Sequence, residues 1–272
     1  MNILIDENIP YAQEFFADIG QITRFPGREL TTDQLTDVDI LLVRSITKVN
    51  ESLISKASKL KFVGTATIGV DHIDTSYLVS RKIEFSSAPR CNTVSVAEYV
   101  MSAIYVLAEK YHFNLTDKKV AIIGVGNTGK GVQAKLEALG IEVLLVDPPR
   151  AKAEGEQSKE QFVDLEFALE NADIVTCHTP LIRDGETPTF HLLNEEKLKL
   201  LKDDVCLINA CRGEVIDNQA LLEHIQTRQT KGKQAIKLVL DVWENEPNPM
   251  QARIPLADIT TAHIAGYSLE GK

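Results

Sequence analysis

The sequence predicts an α/β protein with two doubly wound parallel sheets. Short apolar runs alternate with amphipathic segments along the 272 residues, which is the pattern of strands separated by helices. The alternation occurs in two series, and a long helical segment that begins near residue 93 separates them. A chain of this length is also long for one core and sufficient for two. We therefore expect two domains, each built on its own sheet.

The first series predicts the smaller of the two sheets. Its apolar runs predict strands at residues 3–5, 40–43, 62–64 and 83–85. Amphipathic segments predict helices at residues 11–18, 51–57 and 75–80. Alternation at this density predicts a flavodoxin-like sheet.

The second series predicts a larger sheet of the Rossmann type. It is preceded by a helix that is expected to begin near Thr93, where Ser95 and Glu98 have the spacing of a capping box. Apolar runs then predict strands at residues 120–123, 143–146, 174–176, 205–208, 238–240 and 259–262. Helices are expected near residues 132–139, 162–169, 195–201 and 219–225. The polar segment 148–158, which contains proline and glycine, predicts an exposed loop.

Composition argues against several classes of protein. A formal net charge of −10 disfavours nucleic acid or an anionic membrane as the main partner. No apolar run approaches the ~20 residues that a membrane span requires, and the acidic N-terminal segment is unlike a signal peptide. The cysteines form no CxxC pair and no zinc motif, so we expect structural thiols, no metal and a cytoplasmic location. They are Cys91, Cys177, Cys206 and Cys211.

A glycine-rich turn follows the first strand of the second series. Gly124, Gly126 and Gly129 have the spacing GxGxxG, between an apolar strand and a helix. The first glycine allows a tight turn, the second lets the backbone approach a pyrophosphate, and the third permits close packing of helix and strand. The N-terminus of the helix supplies N–H donors to phosphate oxygens. The turn therefore predicts a dinucleotide site.

Asp147 indicates which dinucleotide is bound. It ends the next strand, 23 positions after Gly124, where an acidic residue accepts hydrogen bonds from the ribose hydroxyls. Such a carboxylate repels a 2′-phosphate, which favours NAD over NADP. Arg150 is the counter-argument, because a nearby arginine can accommodate that phosphate. In the alternative interpretation, Asp147 only caps the Pro-Pro turn that follows it.

Three residues of complementary chemistry follow later strands of the second series. They are Arg212, Glu246 and His263, and the ligand crevice of an open parallel sheet lies beyond the carboxyl ends of its strands. A histidine can take a hydroxyl proton, a carboxylate can fix its tautomer, and an arginine can hold a substrate carboxylate and polarise the C2 oxygen. Together they predict oxidation of a 2-hydroxy acid. Individually, Arg212 could be a structural cation, Glu246 a surface charge and His263 a core histidine.

The segments that contain these residues resemble the D-isomer-specific 2-hydroxyacid dehydrogenases. They are GVGNTG at 124–129, NACRGEVIDN at 209–218, LDVWENEP at 240–247 and HIAGY at 263–267. Further segments resemble one branch of that family: VRSITKVN at 43–50, FVGTATIGVDHID at 62–74, SAPRCNTVSVAEYV at 87–100, DPPR at 147–150, HTPLIRDGETPTFHL at 178–192 and HIAGYSLEGK at 263–272. The resemblance implies NAD-dependent oxidation of 4-phospho-D-erythronate to (R)-3-hydroxy-2-oxo-4-phosphooxybutanoate in vitamin B6 biosynthesis.

The resemblance also implies roles for individual positions. The matches to the catalytic residues of the family are Arg212, Glu246 and His263. The matches to its NAD contacts are Gly124, Gly126, Asn127, Thr128, Gly129, Asp147, Thr179, Asp241 and Gly266. The matches to its substrate contacts are Ser45, Thr67 and Tyr267, although Thr67 could instead be a turn residue. Candidates for holding the substrate phosphate are Arg44, Lys48 and Arg90.

The family arrangement implies a domain division and a partner. Residues 1–92 with 267–272 are expected to bind a small phosphorylated hydroxy acid, and residues 93–266 to bind NAD. Family members continue through a returning helix and a dimerisation domain, whereas this chain stops at Lys272. We therefore expect either a fragment or a shortened member, in which the homodimer of the family is in doubt.

Two other functions remain open at this point. One is a different D-2-hydroxyacid dehydrogenase, such as one that acts on 3-phosphoglycerate. The other is a catalytically inactive NAD-sensing protein, against which the acidic balance argues.

Overall fold

The computed structural model describes residues 1–246, 248–249 and 256–268, which contain two parallel β-sheets. Each sheet lies in its own compact unit: the first unit is Met1–Cys91, and the second unit is Asn92–Ser268. The predicted α/β class with two doubly wound parallel sheets is confirmed. The predicted division at residue 92 lies one residue from the observed one. Residues 267 and 268, which were expected in the first domain, lie in the second unit. The assignment of a function to each unit stays a prediction.

The first unit has a five-stranded sheet in the order β2-β1-β3-β4-β5, all parallel. Its strands are β1 (Asn2–Asp6), β2 (Gln21–Phe25), β3 (Ile40–Val43), β4 (Phe62–Thr65) and β5 (Glu84–Ser86). Its helices are α1 (Ala12–Phe16), α2 (Glu51–Ile54) and α3 (Thr75–Ser80). This strand order is the flavodoxin-like one.

Strand β2 is absent from the sequence-based prediction, which placed four strands in this unit. β2 is an edge strand that pairs only with β1, and only Phe25 of its five residues is buried. A strand that packs so little of its surface needs no apolar run, so the criterion that found the other strands could not find it.

The second unit begins with the long helix α4 (Thr93–Tyr111) and contains a six-stranded parallel sheet. Its described strands are β6 (Lys119–Ile123), β7 (Glu142–Val146), β8 (Ile174–Cys177), β9 (Cys206–Asn209), β10 (Lys237–Leu240) and β11 (Ile259–Thr260), in the order β11-β10-β9-β8-β6-β7. Its further helices are α5 (Asn127–Ala138), α6 (Pro148–Glu154), α7 (Leu165–Asn171), α8 (Glu195–Leu198) and α9 (Asn218–Thr230).

Both faces of this sheet are covered, as in other parallel sheets. On β6, Val120 and Ile122 pack into the cluster that includes α4 and α5, whereas Ala121 and Ile123 pack into the cluster that includes α7 and α9. The side chains of a strand point to alternate faces, so one strand contributes to two cores. Strands β8, β9 and β10 are buried at every position. This packing holds the carboxyl ends of these strands in place.

Two local predictions are wrong. Segment 148–158 is not a loop: α6 occupies its first part, because the Asp147 side chain caps the helix and proline at the first helical positions provides a pre-set φ. Ser95 and Glu98 form no capping box, since α4 already begins at Thr93. The Ser95 hydroxyl instead donates to the carbonyl of Asn92 at 3.0 Å.

Three of the four cysteines, Cys177, Cys206 and Cys211, have buried free thiols. Burial raises the pKa of Cys206 to about 12, which suppresses the reactive thiolate. Within the described part of the chain, no helix is both long and apolar enough to cross a membrane.

Candidate active site

The carboxyl ends of the six strands in the second unit lie along one edge of the sheet, because all the strands are parallel. Every residue that the sequence assigned to catalysis or to NAD in this unit follows one of those ends or lies in the glycine loop. After β6, β7 and β8 come Gly124, Asp147 and Thr179; after β9, β10 and β11 come Arg212, Glu246 and His263.

His263 and Glu246 form a hydrogen-bonded pair at this edge. The Nδ1 atom of His263 lies 2.9 Å from Oε2 of Glu246, and Oε1 of Glu246 accepts a hydrogen bond from the backbone N–H of Trp243 at 2.9 Å. Burial opposes ionisation of Glu246, but the hydrogen bond from His263 and the charge of Arg212 hold its pKa below the usual range. Glu246 is therefore ionised near neutral pH and orients the imidazole. His263 is 40% exposed, so it is not the core histidine of the alternative interpretation.

Arg212 is positioned by the loop between β9 and α9. The Nδ2 atom of Asn209, the last residue of β9, donates to the carbonyl of Arg212 at 2.8 Å. A side chain at Gly213 would meet the backbone of Trp243 at 2.0 Å, so the loops after β9 and β10 touch at a position where only glycine fits. The Arg212 guanidinium donates to the carbonyl of Cys211 at 2.7 Å and is near enough to Glu246 to lower its pKa.

Asp241 holds the turn that presents His263. Its buried carboxylate accepts hydrogen bonds from the Thr261 hydroxyl at 2.5 Å and from the backbone N–H groups of Ile264 and Ala265 at 2.8 and 2.9 Å. Its carbonyl accepts from the backbone N–H of His263 at 2.7 Å. His263 has a left-handed backbone conformation, with φ of 55°, and these four bonds offset the cost of that conformation.

A second contact supports the same turn from helix α4. The hydroxyls of Tyr99 and Thr261 lie 2.6 Å apart, so a hydrogen-bonded chain leads from α4 through Thr261 to Asp241. Sequence patterns did not single out Tyr99 as a site residue, because it falls within the apolar period of its helix. Gly266 closes the turn against the helix start, since a side chain there would meet Nδ2 of Asn92 at 2.6 Å.

The glycine loop has the shape that a pyrophosphate requires. Gly124 has φ of +89°, and a side chain there would meet the carbonyl of His178 at 2.8 Å. A side chain at Gly129 would lie 2.0 Å from the carbonyl oxygen of Gly124, whereas one at Gly126 would meet nothing within 4 Å. The first and third glycines are thus required by packing, and the second leaves open space at the N-terminus of α5. Asn127 and Thr128 form the first turn of that helix, so the loop fits a dinucleotide.

Asp147 is both a helix cap and part of the glycine loop. One carboxylate oxygen accepts from the backbone N–H of Arg150 at 3.1 Å, and the other accepts from the backbone N–H of Val125 at 2.8 Å. Asp147 thus caps the helix, as the alternative interpretation expects. The hydrogen bond from Val125 also places its carboxylate against the glycine loop. The role of Asp147 in ribose binding stays a prediction.

His178 and Thr179 lie beside the glycine loop at the end of β8. His178 Nε2 is 2.9 Å from the Thr176 hydroxyl, and burial lowers the pKa of His178 to about 4. The hydroxyl of Thr179 is buried near the thiol of Cys211. Sequence reasoning assigned a role to Thr179 and none to His178, because a histidine that precedes Thr-Pro has no distinguishing pattern.

The first unit contains Thr67 and Ser45, two of the predicted substrate residues. Thr67 follows β4, and its hydroxyl lies 2.8 Å from that of Thr65 and donates to the carbonyl of Gly69 at 2.9 Å. The Thr65 hydroxyl also lies 2.9 Å from Nε2 of His72, so Thr67 belongs to a polar network as well as to a turn. Ser45 is exposed in the turn after β3.

Four further predicted substrate residues lie on loops or at a surface. Arg44 and Lys48 flank the turn after β3, and Arg90 follows β5 in a left-handed conformation. Tyr267 belongs to the second unit and is 58% exposed. Within each unit the structure brings these residues to loops at strand ends; their contacts with substrate stay predictions.

Comparison with known proteins identifies what this arrangement is similar to. Residues 93–265 match the model of the D-isomer specific 2-hydroxyacid dehydrogenase, NAD binding domain. Erythronate-4-phosphate dehydrogenase of Tolumonas auensis is 51% identical over 272 residues, which are 100% of this chain and 70% of the relative. The protein of the same name from Proteus mirabilis is 52% identical with the same coverage.

A solved structure agrees with these sequence matches. The D-lactate dehydrogenase from Aquifex aeolicus, complexed with NAD and lactic acid, has a TM-score of 0.81 and 26% identity to this chain. The match covers 100% of this chain and 90% of that one. Both units of the fold are therefore present in a dehydrogenase of known structure.

Proposed function

The chain belongs to the D-isomer-specific 2-hydroxyacid dehydrogenases, and from this premise we propose that it oxidises the C2 hydroxyl of 4-phospho-D-erythronate. The cofactor is NAD, for which the matched domain is named. The proposed product is (R)-3-hydroxy-2-oxo-4-phosphooxybutanoate, and the proposed pathway is vitamin B6 biosynthesis. The proposal rests chiefly on the His263–Glu246 pair beside Arg212 at the carboxyl edge of the sheet.

The proposed role of His263 is to take the proton of the C2 hydroxyl. Its Nδ1 faces Glu246, so the tautomer with hydrogen on Nδ1 leaves Nε2 as the acceptor for that proton. As the proton arrives, the imidazole becomes a cation, and the ionised carboxylate of Glu246 stabilises it. The ring then releases the proton to solvent in the exposed position that it occupies.

The proposed role of Arg212 is to bind the substrate carboxylate and to polarise the C2 oxygen. A guanidinium offers several donors in one plane, which match the two oxygens of a carboxylate. The same cation stabilises negative charge on the C2 oxygen as its proton leaves.

NAD supplies the acceptor for the hydride that leaves C2. The residues proposed to hold it are Gly124, Gly126, Asn127, Thr128, Gly129, Asp147, Thr179, Asp241 and Gly266. Among them, Asp241 and Gly266 have a further role in this structure, since they fix the turn of His263 and its packing on α4. We propose that the same turn supports one side of the nicotinamide site.

The first unit is proposed to hold the substrate. Ser45 and Thr67 on that unit, with Tyr267, are the proposed contacts to its hydroxyl groups. The phosphate needs cations, and Arg44, Lys48 and Arg90 are the proposed ones. We propose a cytoplasmic location as well; the homodimer of the family stays a prediction for this chain.

Turnover of the purified protein tests the proposal. We expect NADH to form with NAD and 4-phospho-D-erythronate, at a kcat/KM well above that with 3-phospho-D-glycerate. A preparation of the His263→Ala variant, purified in the same way, controls for contaminating dehydrogenases. A higher kcat/KM with 3-phospho-D-glycerate would instead establish the other dehydrogenase. NAD binding without turnover of either acid would favour an NAD-sensing protein.

A further inference from the structure

Arg150 is enclosed by two glutamates of its own segment. Its Nε donates to Oε1 of Glu154 at 2.8 Å, and its Nη1 lies 2.6 Å from Oε2 of Glu160. The Nη1 atom also donates to the carbonyl of Val125 at 2.8 Å, and the guanidinium lies 5.1 Å from the ring centre of Phe162. The only cation within the first turn of α6 is therefore bound on several sides.

The segment from Glu154 to Phe162 is built to keep those glutamates in place. The Ser158 hydroxyl donates to Oε2 of Glu154 at 2.7 Å and accepts from the backbone N–H of Glu160 at 3.2 Å. Phe162 forms a parallel bridge with Leu145 of strand β7. The segment is thereby tied to the edge of the sheet, and both carboxylates are held against Arg150.

This cluster lies beside the residue that is proposed to bind the adenosine ribose. The backbone N–H of Arg150 donates to Oδ1 of Asp147, and Arg150 Nη1 contacts the same residue of the glycine loop, Val125, that donates to Oδ2 of Asp147. A surface cavity of about 490 Å³ adjoins the cluster, and Lys130 and Lys159 add two cations to its lining. A phosphate group on the ribose would thus meet Arg150, whose charge the two glutamates already compensate, and Lys130, which lies 3.9 Å from Oε1 of Glu160.

We propose that Glu154 and Glu160 determine the preference for NAD over NADP, by occupying the guanidinium that would otherwise bind the 2′-phosphate. An arginine close to the ribose site is the feature that normally admits NADP. Here its charge is compensated, and a 2′-phosphate would have to displace two carboxylates as well as approach Asp147. The inference rests on the proposed use of NAD and adds two specificity-determining residues to Asp147.

The two glutamates differ in how they hold Arg150. Glu154 makes a hydrogen bond as well as an ion pair, and it is 34% exposed. Glu160 is 19% exposed, and its Oε2 lies 2.6 Å from Nη1 of Arg150. Glu154 faces Nε and Nη2 of Arg150, and Glu160 faces Nη1, so each glutamate occupies a different side of the guanidinium.

Calorimetric titration with NAD and with NADP tests the proposal without any turnover. The variants are Glu154→Gln, Glu160→Gln and the double variant, which keep side-chain size and remove only the negative charge. We expect the ratio of Kd for NADP to Kd for NAD to fall at least tenfold in the double variant. Glu142→Gln is the matched control, because it removes a surface partner of Lys119 in the same unit and should leave the ratio unchanged.

A third substitution identifies the cation responsible. Arg150→Ala, added to the double variant, should restore the ratio of the unsubstituted protein. The proposal is overturned if the double variant keeps the original ratio, or if its ratio falls equally without Arg150. Should the double variant not fold, Glu160→Gln alone decides between the same outcomes. Failure of every variant and of the parent protein to bind NAD would contradict the proposed function instead.

Discussion

At the scale of single residues, the contacts of two histidines separate a candidate base from a structural side chain. His191 has Nε2 at 2.5 Å from Glu244 and Nδ1 at 3.5 Å from Asp217, so both ring nitrogens face carboxylates. Among the described residues, His263 uses only Nδ1 in this way, towards Glu246. A proton acceptor needs one unoccupied nitrogen, and His263 satisfies that requirement.

Substitution of Arg212 by lysine tests whether the shape of its side chain matters. We expect Arg212→Lys to lower kcat/KM by roughly 10²-fold, as for the loss of a donor to a developing oxyanion, because an ammonium cannot reproduce the paired donors of a guanidinium. Initial rates with NAD and 4-phospho-D-erythronate measure the effect. Arg183→Lys is the control, since Arg183 is 57% exposed and its ion pair with Glu214 is long, at 3.8 Å. Equal rates in both variants would remove the carboxylate-binding role from Arg212.

At the scale of elements, the site depends on turns that the sheet core holds in place. Thr261, which follows strand β11, helps to hold the turn of His263, because its hydroxyl links Tyr99 of α4 to the carboxylate of Asp241. The same carboxylate binds the backbone N–H groups after His263. Removal of a hydrogen bond from this network should therefore displace the imidazole of His263 without changing its ability to accept a proton.

Replacement of Thr261 by valine tests this positioning role. Valine has the same shape without the hydroxyl, so we expect kcat to fall by about 10-fold or more, as misplacement of a reacting group can cost up to about 10²-fold. The Kd for NAD should change less than kcat. Thr230→Val, at the exposed end of α9, is the control. A variant at Thr261 with full kcat would show that the turn holds its geometry without this bond.

The same scale shows what sequence patterns could and could not predict. Strands with buried apolar runs, such as β3 and β9, were predicted because burial on both faces demands such runs. The residues of helix α6 are predicted as a loop from the sequence, because none of them is buried. The stability of this helix comes from the Asp147 cap and the initial prolines. Apolar periodicity detects packing, and α6 packs too little surface to show it.

The prediction of the site depended on the residues that follow the ends of the strands. Arg212 and His263 were recognisable because a charged or ionisable side chain comes shortly after an apolar strand. Their supports were not recognisable: Tyr99 is 162 positions from Thr261, and Glu160 looks like a solvated charge. Contacts over such distances in sequence arise from the tertiary fold and have no local pattern.

At the scale of the whole molecule, burial of His178 should make stability depend on pH. Its pKa in the folded protein is about 4, because burial disfavours the charged ring, whereas an unfolded histidine has a pKa of about 6.5. Folding therefore favours the neutral form. The resulting stability is fully present above about pH 6.5 and is lost progressively as the pH falls towards 4.

Unfolding by urea at pH 8 and pH 5 measures this effect. Between these values the shift amounts to about 2 kcal/mol, so His178→Gln should lose about 2 kcal/mol less stability on acidification than the parent protein. Trp243, the only tryptophan of the chain, reports on the same unit through its fluorescence. Other groups titrate alike in both proteins and cancel in the comparison. Identical losses in the two proteins would show that His178 is not held neutral by the fold.

The central claim is that His263 and Glu246 act as one acid–base pair, and a double-mutant cycle tests it most directly. The kcat values of His263→Ala, Glu246→Gln and the double variant are compared, while calorimetry with NAD verifies that each variant retains its fold. We expect His263→Ala to lower kcat by roughly 10²–10⁴-fold and the double variant to lose no more, because Glu246 acts only through the imidazole. Losses that multiply in the double variant, or full activity in His263→Ala, would contradict the claim.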